Sequence, residues 1–262
     1  MKVKEYLSEY YKVKDENNRL ASKCGMVEYI TTMKYIEKYL KYGMSVLEIG
    51  AATGRYSHTL ARKGYKVDAV ELIESNIEVF KKNTLEGENI TITQGDAVDL
   101  SAFKSDSYDL TLLLGPMYHL FTVKDKIKAL SEAIRVTKKD GIIFVAYCMS
   151  DPTILNFGFK KGEIFDLINK EMVNIETFET ISRPQDIIEL SRKEDIDKLR
   201  NNLNVRQLHF IATDGYANHM KEFLNEMDDK MYDLYIKYHL ATCERQDMVG
   251  YSHHTLDIFR KE

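Results

Sequence analysis

The amino-acid sequence predicts an α/β protein: an open, mostly parallel sheet of about seven strands with helices on both faces, plus helical lid insertions. Three observations predict it. Short unbroken apolar runs bounded by turn residues, "SVLEIG" (45–50), "YDLTLLLG" (108–115) and "GIIFVAY" (141–147), have the pattern of strands covered on both faces. Segments with apolar residues at helical spacing lie between the strands. Strand and helix alternate at the rhythm of right-handed βαβ units, which build a parallel sheet.

In chain order, 26–41 reads as an amphipathic helix with Val27, Ile30, Met33, Ile36 and Leu40 on one side, ended by Gly43. The first strand, 45–50, leads into a helix over 54–63. "KVDAVEL" (66–72) and "NITITQG" (89–95) alternate more, as strands nearer an edge do, with a helix over 74–86 between them. Strand 108–115 precedes a helix over 122–138 carrying Val123, Ile127, Leu130, Ala133, Ile134 and Val136, and strand 141–147 comes after it. Beyond Tyr147 the rhythm breaks. "DPTILNFGFKKGEIFDLINKEM" is aromatic and irregular, Pro184 interrupts the chain, and "DIIELSRKEDIDKLRNNL" reads as helical. A strand over 205–215 comes next. A long helix with Met220, Phe223, Leu224, Met227, Met231, Leu234, Tyr235 and Tyr238 on one stripe then precedes a last strand at 255–261. With no internal repeat or linker, one domain is expected over 1–262. It comprises an N-terminal helical cap (1–43), a core (44–148), and helical insertions at 150–204 and 216–254.

A chain of 262 residues, 44% hydrophobic and 30% charged, is long enough for a full core. No apolar run approaches the ~20 residues of a membrane span. The start, "MKVKEYLSEYYKVKDENNRL", lacks the apolar centre of a signal peptide. A membrane is therefore not an expected partner. A net charge of −4, a pI near 6.0 and basic pairs interrupted by acids argue against a broad phosphate-binding surface, so neither is a nucleic acid. Cys24, Cys148 and Cys243 match no metal or disulfide spacing and read as reduced thiols of a cytoplasmic protein. Neither do His239, Cys243, His253 and His254 make a common zinc spacing, so no metal is expected. A monomer or a homodimer fits equally.

The chemistry gathers where strands end. Gly50-Ala51-Ala52-Thr53-Gly54 lets a ligand lie against the backbone, and the helix beyond offers free N–H groups. Glu71 ends the second strand about twenty residues on, where an acid accepts both hydroxyls of a ribose. Asp96 comes after the third strand, placed to bond an adenine amino group. Glu48 lies inside the first strand, where an acid needs a donor or cation beside it.

In these motifs the sequence resembles the class I (Rossmann-like) S-adenosylmethionine-dependent methyltransferases. "VLEIGAATGRYSHTLARKGYKVDAVEL" resembles the family's first motif with its ribose-binding acid, and "GDAVDL" its adenine segment. "YDLTLLLGPMYHL" resembles the fourth motif, and "EAIRVTKKDGIIFVAY" the helix, turn and fifth strand beyond that motif. The resemblance covers about residues 44–148. It departs at Ala52, where many members have glycine, and at Lys139-Asp140-Gly141, which replaces a proline-glycine-glycine turn. The resemblance implies S-adenosyl-L-methionine as cofactor, with S-adenosyl-L-homocysteine as product. Gly50, Ala51, Ala52 and Gly54, with Tyr56 beyond, would hold the methionine portion. Glu71 with Leu72 would hold the ribose, Asp96 with Ala97 the adenine, and Leu114 and Gly115 would wall the pocket.

Displacement from a sulfonium needs alignment and exclusion of water, and sometimes a base. "LGPMYHL" supplies His119 as candidate general base and Tyr118 to orient the acceptor or wall the cofactor. In the N-terminal segment, Tyr10 or Tyr11 would face the sulfonium and Arg19 pair with the methionine carboxylate. Phe157, Phe159, Phe165, Tyr216, Tyr232 and Tyr235 of the insertions would line an apolar acceptor pocket, and a small-molecule acceptor is the leading expectation. An RNA or protein methyltransferase, and a non-catalytic S-adenosylmethionine-binding regulatory protein, stay open. A dinucleotide enzyme is disfavoured by the absent third glycine.

Overall fold

The computed structural model describes residues 3–201 and 203–262; residues 1, 2 and 202 of the expected cap and first insertion lie outside the described residues. Seven strands form one open sheet: β1 (Ser45–Ile49), β2 (Lys66–Glu71), β3 (Ile90–Gln94), β4 (Tyr108–Leu113), β5 (Thr137–Cys148), β6 (Val205–Ala212) and β7 (His254–Lys261). Their order is β3-β2-β1-β4-β5-β7-β6. β1 pairs parallel with β2 and with β4, and only β7 runs against its neighbours. The strand order reverses beside β1, so the loops after β1 and β4 part and leave a crevice at their carboxyl ends.

The apolar runs explain the centre. Val46, Leu47, Leu110, Leu112, Leu113, Ile143, Phe144 and Val145 are fully enclosed, because helices cover both faces. α3 (Arg55–Arg62), α4 (Glu74–Asn83) and α5 (Val123–Val136) make the crossovers. The Thr122 hydroxyl starts α5 by accepting from the Asp125 N–H at 3.1 Å. Before β1 come α1 (Val3–Val13) and α2 (Lys23–Tyr39). α2 starts earlier than its apolar stripe predicts, because the Ser22 hydroxyl caps the Gly25 N–H at 3.1 Å. After β5 the chain makes α6 (Ser150–Thr153), a π-helical turn (Ile154–Lys160), α7 (Ile164–Asn169) and α8 (Lys193–Arg200). α9 (Lys221–Glu226), α10 (Asp229–Thr242) and α11 (Gln246–Val249) follow β6 in the chain and precede β7.

Two expectations drawn from helical spacing are corrected. The helix expected through "DIIELSRKEDIDKLRNNL" forms only at Lys193–Arg200, since Ile187 has φ +69° and no helix passes through that conformation. The long helix after β6 breaks at Met227, whose ψ is 142°, and Asp228 caps the next helix by accepting from the Met231 N–H at 2.8 Å. Its apolar stripe is therefore split. Leu224, Met227, Tyr232 and Tyr235 pack toward Cys24 and Val27 of α2, while Met220, Phe223, Met231, Leu234 and Tyr238 are exposed.

α8 is clamped to the sheet by charge. Asp257 of β7 is fully enclosed and accepts from Arg200 at 2.6 Å and from Gln207 at 2.8 Å. Removing one partner of a buried pair leaves an uncompensated charge. Arg200→Met should lower the urea-unfolding free energy by about 3–5 kcal/mol, and the double variant Arg200→Met/Asp257→Leu should recover most of that loss.

Candidate active site

The turns after β1, β2, β3 and β4 surround a cavity of about 410 Å³. Gly50 and Ala51 are held to β2 through N–H bonds to the Val70 carbonyl, at 2.8 and 3.0 Å. Two positions of this loop require glycine. A Cβ on Gly50 would stand 2.6 Å from the Pro116 ring, and one on Gly54 2.6 Å from both His58 and Phe80. Both have φ in the left-handed region, at +79° and +89°. Ala52 has φ +47°, the left-handed region that costs an L-residue about 1–2 kcal/mol. This is the physical content of the departure at that position.

Glu71, 6% exposed, joins two turns: its carboxylate accepts from the Ala52 N–H and from the Ile73 N–H, each at 2.8 Å. Burial pushes its pKa up, against the pull of those N–H groups. Asp96 spends one oxygen on the Val98 N–H at 3.1 Å and lines the cavity with Ala97 and Leu72. Gly50, Ala51, Ala52, Tyr56, Leu114 and Gly115 also line it; Gly54 does not, and acts as the left-handed N-cap of α3. Glu48 is enclosed and accepts a short hydrogen bond from the Ser57 hydroxyl. Burial pushes it up to about 8, so it is mostly uncharged at neutral pH.

The roof is α1. Leu7 is its buried contact, and Val3, Lys4, Leu7 and Tyr11 face the cavity. Tyr11 Oη lies 3.0 Å from His119 Nε2, while His119 Nδ1 lies 2.8 Å from the Ile187 carbonyl. A carbonyl only accepts, so Nδ1 carries the proton and Nε2 accepts from Tyr11. Burial lowers His119 to about 4 and keeps it neutral. Tyr10 packs edge-on against Tyr11, at 5.1 Å between ring centroids, and is not part of the cavity wall. Arg19 reaches the cavity, but its guanidinium already donates to Glu16 at 2.7 Å and to both oxygens of Glu28 at 2.8 and 3.0 Å. Three of its five N–H groups are engaged.

The aromatic residues expected to line the acceptor pocket do not meet at this cavity. Phe157, Phe159 and Phe165 are exposed, Tyr216 stacks on Tyr251 at 5.1 Å, and Tyr232 and Tyr235 pack toward α2. Sequence reading missed Glu28 and Asp214. Each brings one ligand atom within 4.8 Å of the other and of His254, yet Arg19 caps Glu28 and His254 caps Asp214. An acid beside Val27 on the buried side of α2 was the signal for Glu28. For Asp214, "TDG" read only as a turn.

This geometry has two measurable consequences. Ala52→Gly should raise the unfolding free energy by about 0.5–1 kcal/mol, because relief of the left-handed alanine exceeds the entropy glycine costs the folded state. His119 is held at about 4 in the folded protein against 6.5 when unfolded, so protons bind the unfolded state first and this group destabilises as pH falls from 6.5 toward 4. Chemical denaturation across that range should show His119→Gln gaining on wild type by up to about 3 kcal/mol as the pH is lowered.

Residues 46–141 match the family described as a methyltransferase domain. Among curated relatives, the chain is 30% identical over 118 residues to a demethylmenaquinone methyltransferase of Staphylococcus aureus, covering 44% of this chain and 47% of that protein. It is 33% identical over 143 residues to a ribosomal protein L11 methyltransferase of Dictyoglomus turgidum, covering 52% of this chain and 45% of that one. The chain spans about half the length of the curated relatives it matches. The fold is shared with a SAM-dependent methyltransferase from Methanosarcina mazei (TM-score 0.57, 17% identity, 87% and 96% coverage). It is shared also with a Haemonchus contortus phosphoethanolamine N-methyltransferase solved with phosphoethanolamine and S-adenosylhomocysteine (TM-score 0.59, 17% identity, 98% and 48% coverage). With its motifs in order along β1 to β5 and this sheet order, residues 46–141 match a methyltransferase domain, and the chain has the fold of the class I, Rossmann-like S-adenosylmethionine-dependent methyltransferases.

Proposed function

We propose that the protein transfers a methyl group from S-adenosyl-L-methionine to a small-molecule acceptor by direct displacement. The observation that carries this reading is the pairing of Glu71 and Asp96 on the floor of a cavity that α1 roofs over. The residues fit the cofactor by their chemistry. Glu71 suits ribose hydroxyls, and Asp96 keeps an oxygen for an adenine amino group. Arg19 has N–H groups left for a carboxylate. The enclosed site favours a small acceptor; a protein acceptor has the ribosomal-protein methyltransferase among the relatives in its favour.

When bound, the cofactor supplies a methyl group on a cationic sulfur whose departure as a neutral thioether needs no acid. The work of the chain is then orientation, exclusion of water, and removal of a proton where the acceptor carries one. α1 excludes water. The Tyr118 hydroxyl makes no hydrogen bond among the described residues and lies in the cavity wall, free to orient the acceptor. Tyr11 donates to His119 Nε2, so an acceptor proton passes to His119 through the Tyr11 hydroxyl.

Calorimetry with S-adenosylmethionine and S-adenosylhomocysteine tests the reading. Glu71→Ala should weaken both by about 1–3 kcal/mol; an unaltered dissociation constant contradicts the ribose assignment. With His119 unprotonated well below neutrality, a plot of kcat against pH should show no break near 6.5 from this residue.

A further inference from the structure

Beside Tyr118 lies a polar cluster that cofactor binding leaves unused. Asp214, in the turn after β6, is 1% exposed. It accepts from the Ser252 hydroxyl and the Asn218 amide at 2.6 Å each, and from the His254 N–H at 3.1 Å. Its fourth partner is His254 Nδ1 at 2.8 Å. An enclosed carboxylate with four donors fixes one thing outward, the tautomer and orientation of the His254 ring. The first residue of β7, His254 pairs with Cys148 of β5 in the interior of the sheet, yet its side chain keeps 26% of its surface accessible. Arg19 keeps 28% and Glu28 14%. The Tyr118 ring, 6.5 Å from that of His254, belongs to the cavity wall as well.

The hydrogen-bonding capacity left over is of one kind. Both Glu28 oxygens accept from Arg19, and Asp214 is closed off by its four donors. Beyond the Arg19 N–H groups that suit the cofactor carboxylate, there remain the Tyr118 hydroxyl and His254 Nε2, whose ring also has the Cys148 thiol as a hydrogen-bond partner. Burial alone would lower the pKa of His254. Glu28 of α2, Cys148 of β5 and Asp214 outweigh it and raise the pKa well above 6.5. His253 next in the chain, which burial holds at about 4 and which accepts from Asn156, stays neutral. The ring therefore offers Nε2–H as a charged donor.

Resting on the reading of the adjoining cavity as the cofactor site, we propose that His254 and Tyr118 form the acceptor subsite. It takes a molecule presenting an anionic oxygen or sulfur (carboxylate, phenolate or thiolate) rather than an ammonium group. A protonated amine placed there would meet the imidazolium and find no carboxylate oxygen uncommitted, whereas an anion gains a charge-assisted bond from the imidazolium and a hydrogen bond from the Tyr118 hydroxyl.

The experiment titrates the protein, saturated with S-adenosylhomocysteine, with benzoate and with benzylamine, following the His254 Cε1–H signal by NMR and heat by calorimetry. Benzoate should bind, shift that signal, and bind more weakly one pH unit above the measured His254 pKa than one unit below it. His254→Gln should weaken benzoate at least about tenfold, the loss of one charge-assisted bond, with S-adenosylhomocysteine affinity kept. Should that variant not fold, the wild-type preference between the two probes decides. Tighter binding of benzylamine, binding of neither probe, benzoate affinity indifferent to His254→Gln, or Mn²⁺ binding that excludes benzoate each overturns the proposal. Failure of the wild type to bind S-adenosylhomocysteine overturns the cofactor reading instead.

Discussion

The architecture of the site depends on one buried carboxylate. Glu71 ends β2 and spends its oxygens on backbone N–H groups of two turns, at Ala52 and at Ile73. Without it, two donors near the carboxyl edge of the sheet would be enclosed and unpaired, an arrangement worth about 1–3 kcal/mol each. The same bond draws Ala52 into a left-handed conformation that alanine tolerates poorly. Local strain is thus accepted so that the loop after β1 lies flat across the cavity floor.

Around that floor the protein arranges charge in layers. Glu48 is largely protonated inside β1, Glu28 is neutralised by Arg19, and Asp214 is paired with His254. Burial and pairing push neighbouring groups in opposite directions. His119 is held neutral by its enclosure, whereas His254, flanked by two acids, keeps its proton. Two imidazoles in one region thereby take different roles, a weak acceptor of protons and a fixed cation.

Much of the fold was legible because burial on both faces leaves a plain mark. β1, β4 and β5 are unbroken apolar runs, and no other arrangement hides such runs as well as a parallel sheet under helices. The floor of the site was legible for a related reason: small residues after β1 and acids after β2 and β3 recur at spacings that the fold itself sets. The insertions were not. Helical spacing in 216–238 shows that one side is apolar but not whether anything covers it, and Met231 and Leu234 face outward. Aromatic content pointed to Phe157, Phe159 and Phe165 as pocket walls, whereas Tyr11 and Tyr118 occupy the wall. Contacts such as Glu28 with Arg19, or Asp214 with His254, join residues distant in the chain, and no periodicity announces them.

The roof has an asymmetry with kinetic meaning. Leu7 is the one enclosed side chain of α1, and Tyr11 adds a bond to His119, while the floor is woven into the strands of the sheet. With fewer enclosed side chains than the strands, α1 belongs to the part of the fold that opens before the core. Opening of one short helix, with the sheet unchanged, would be enough to let a ligand pass.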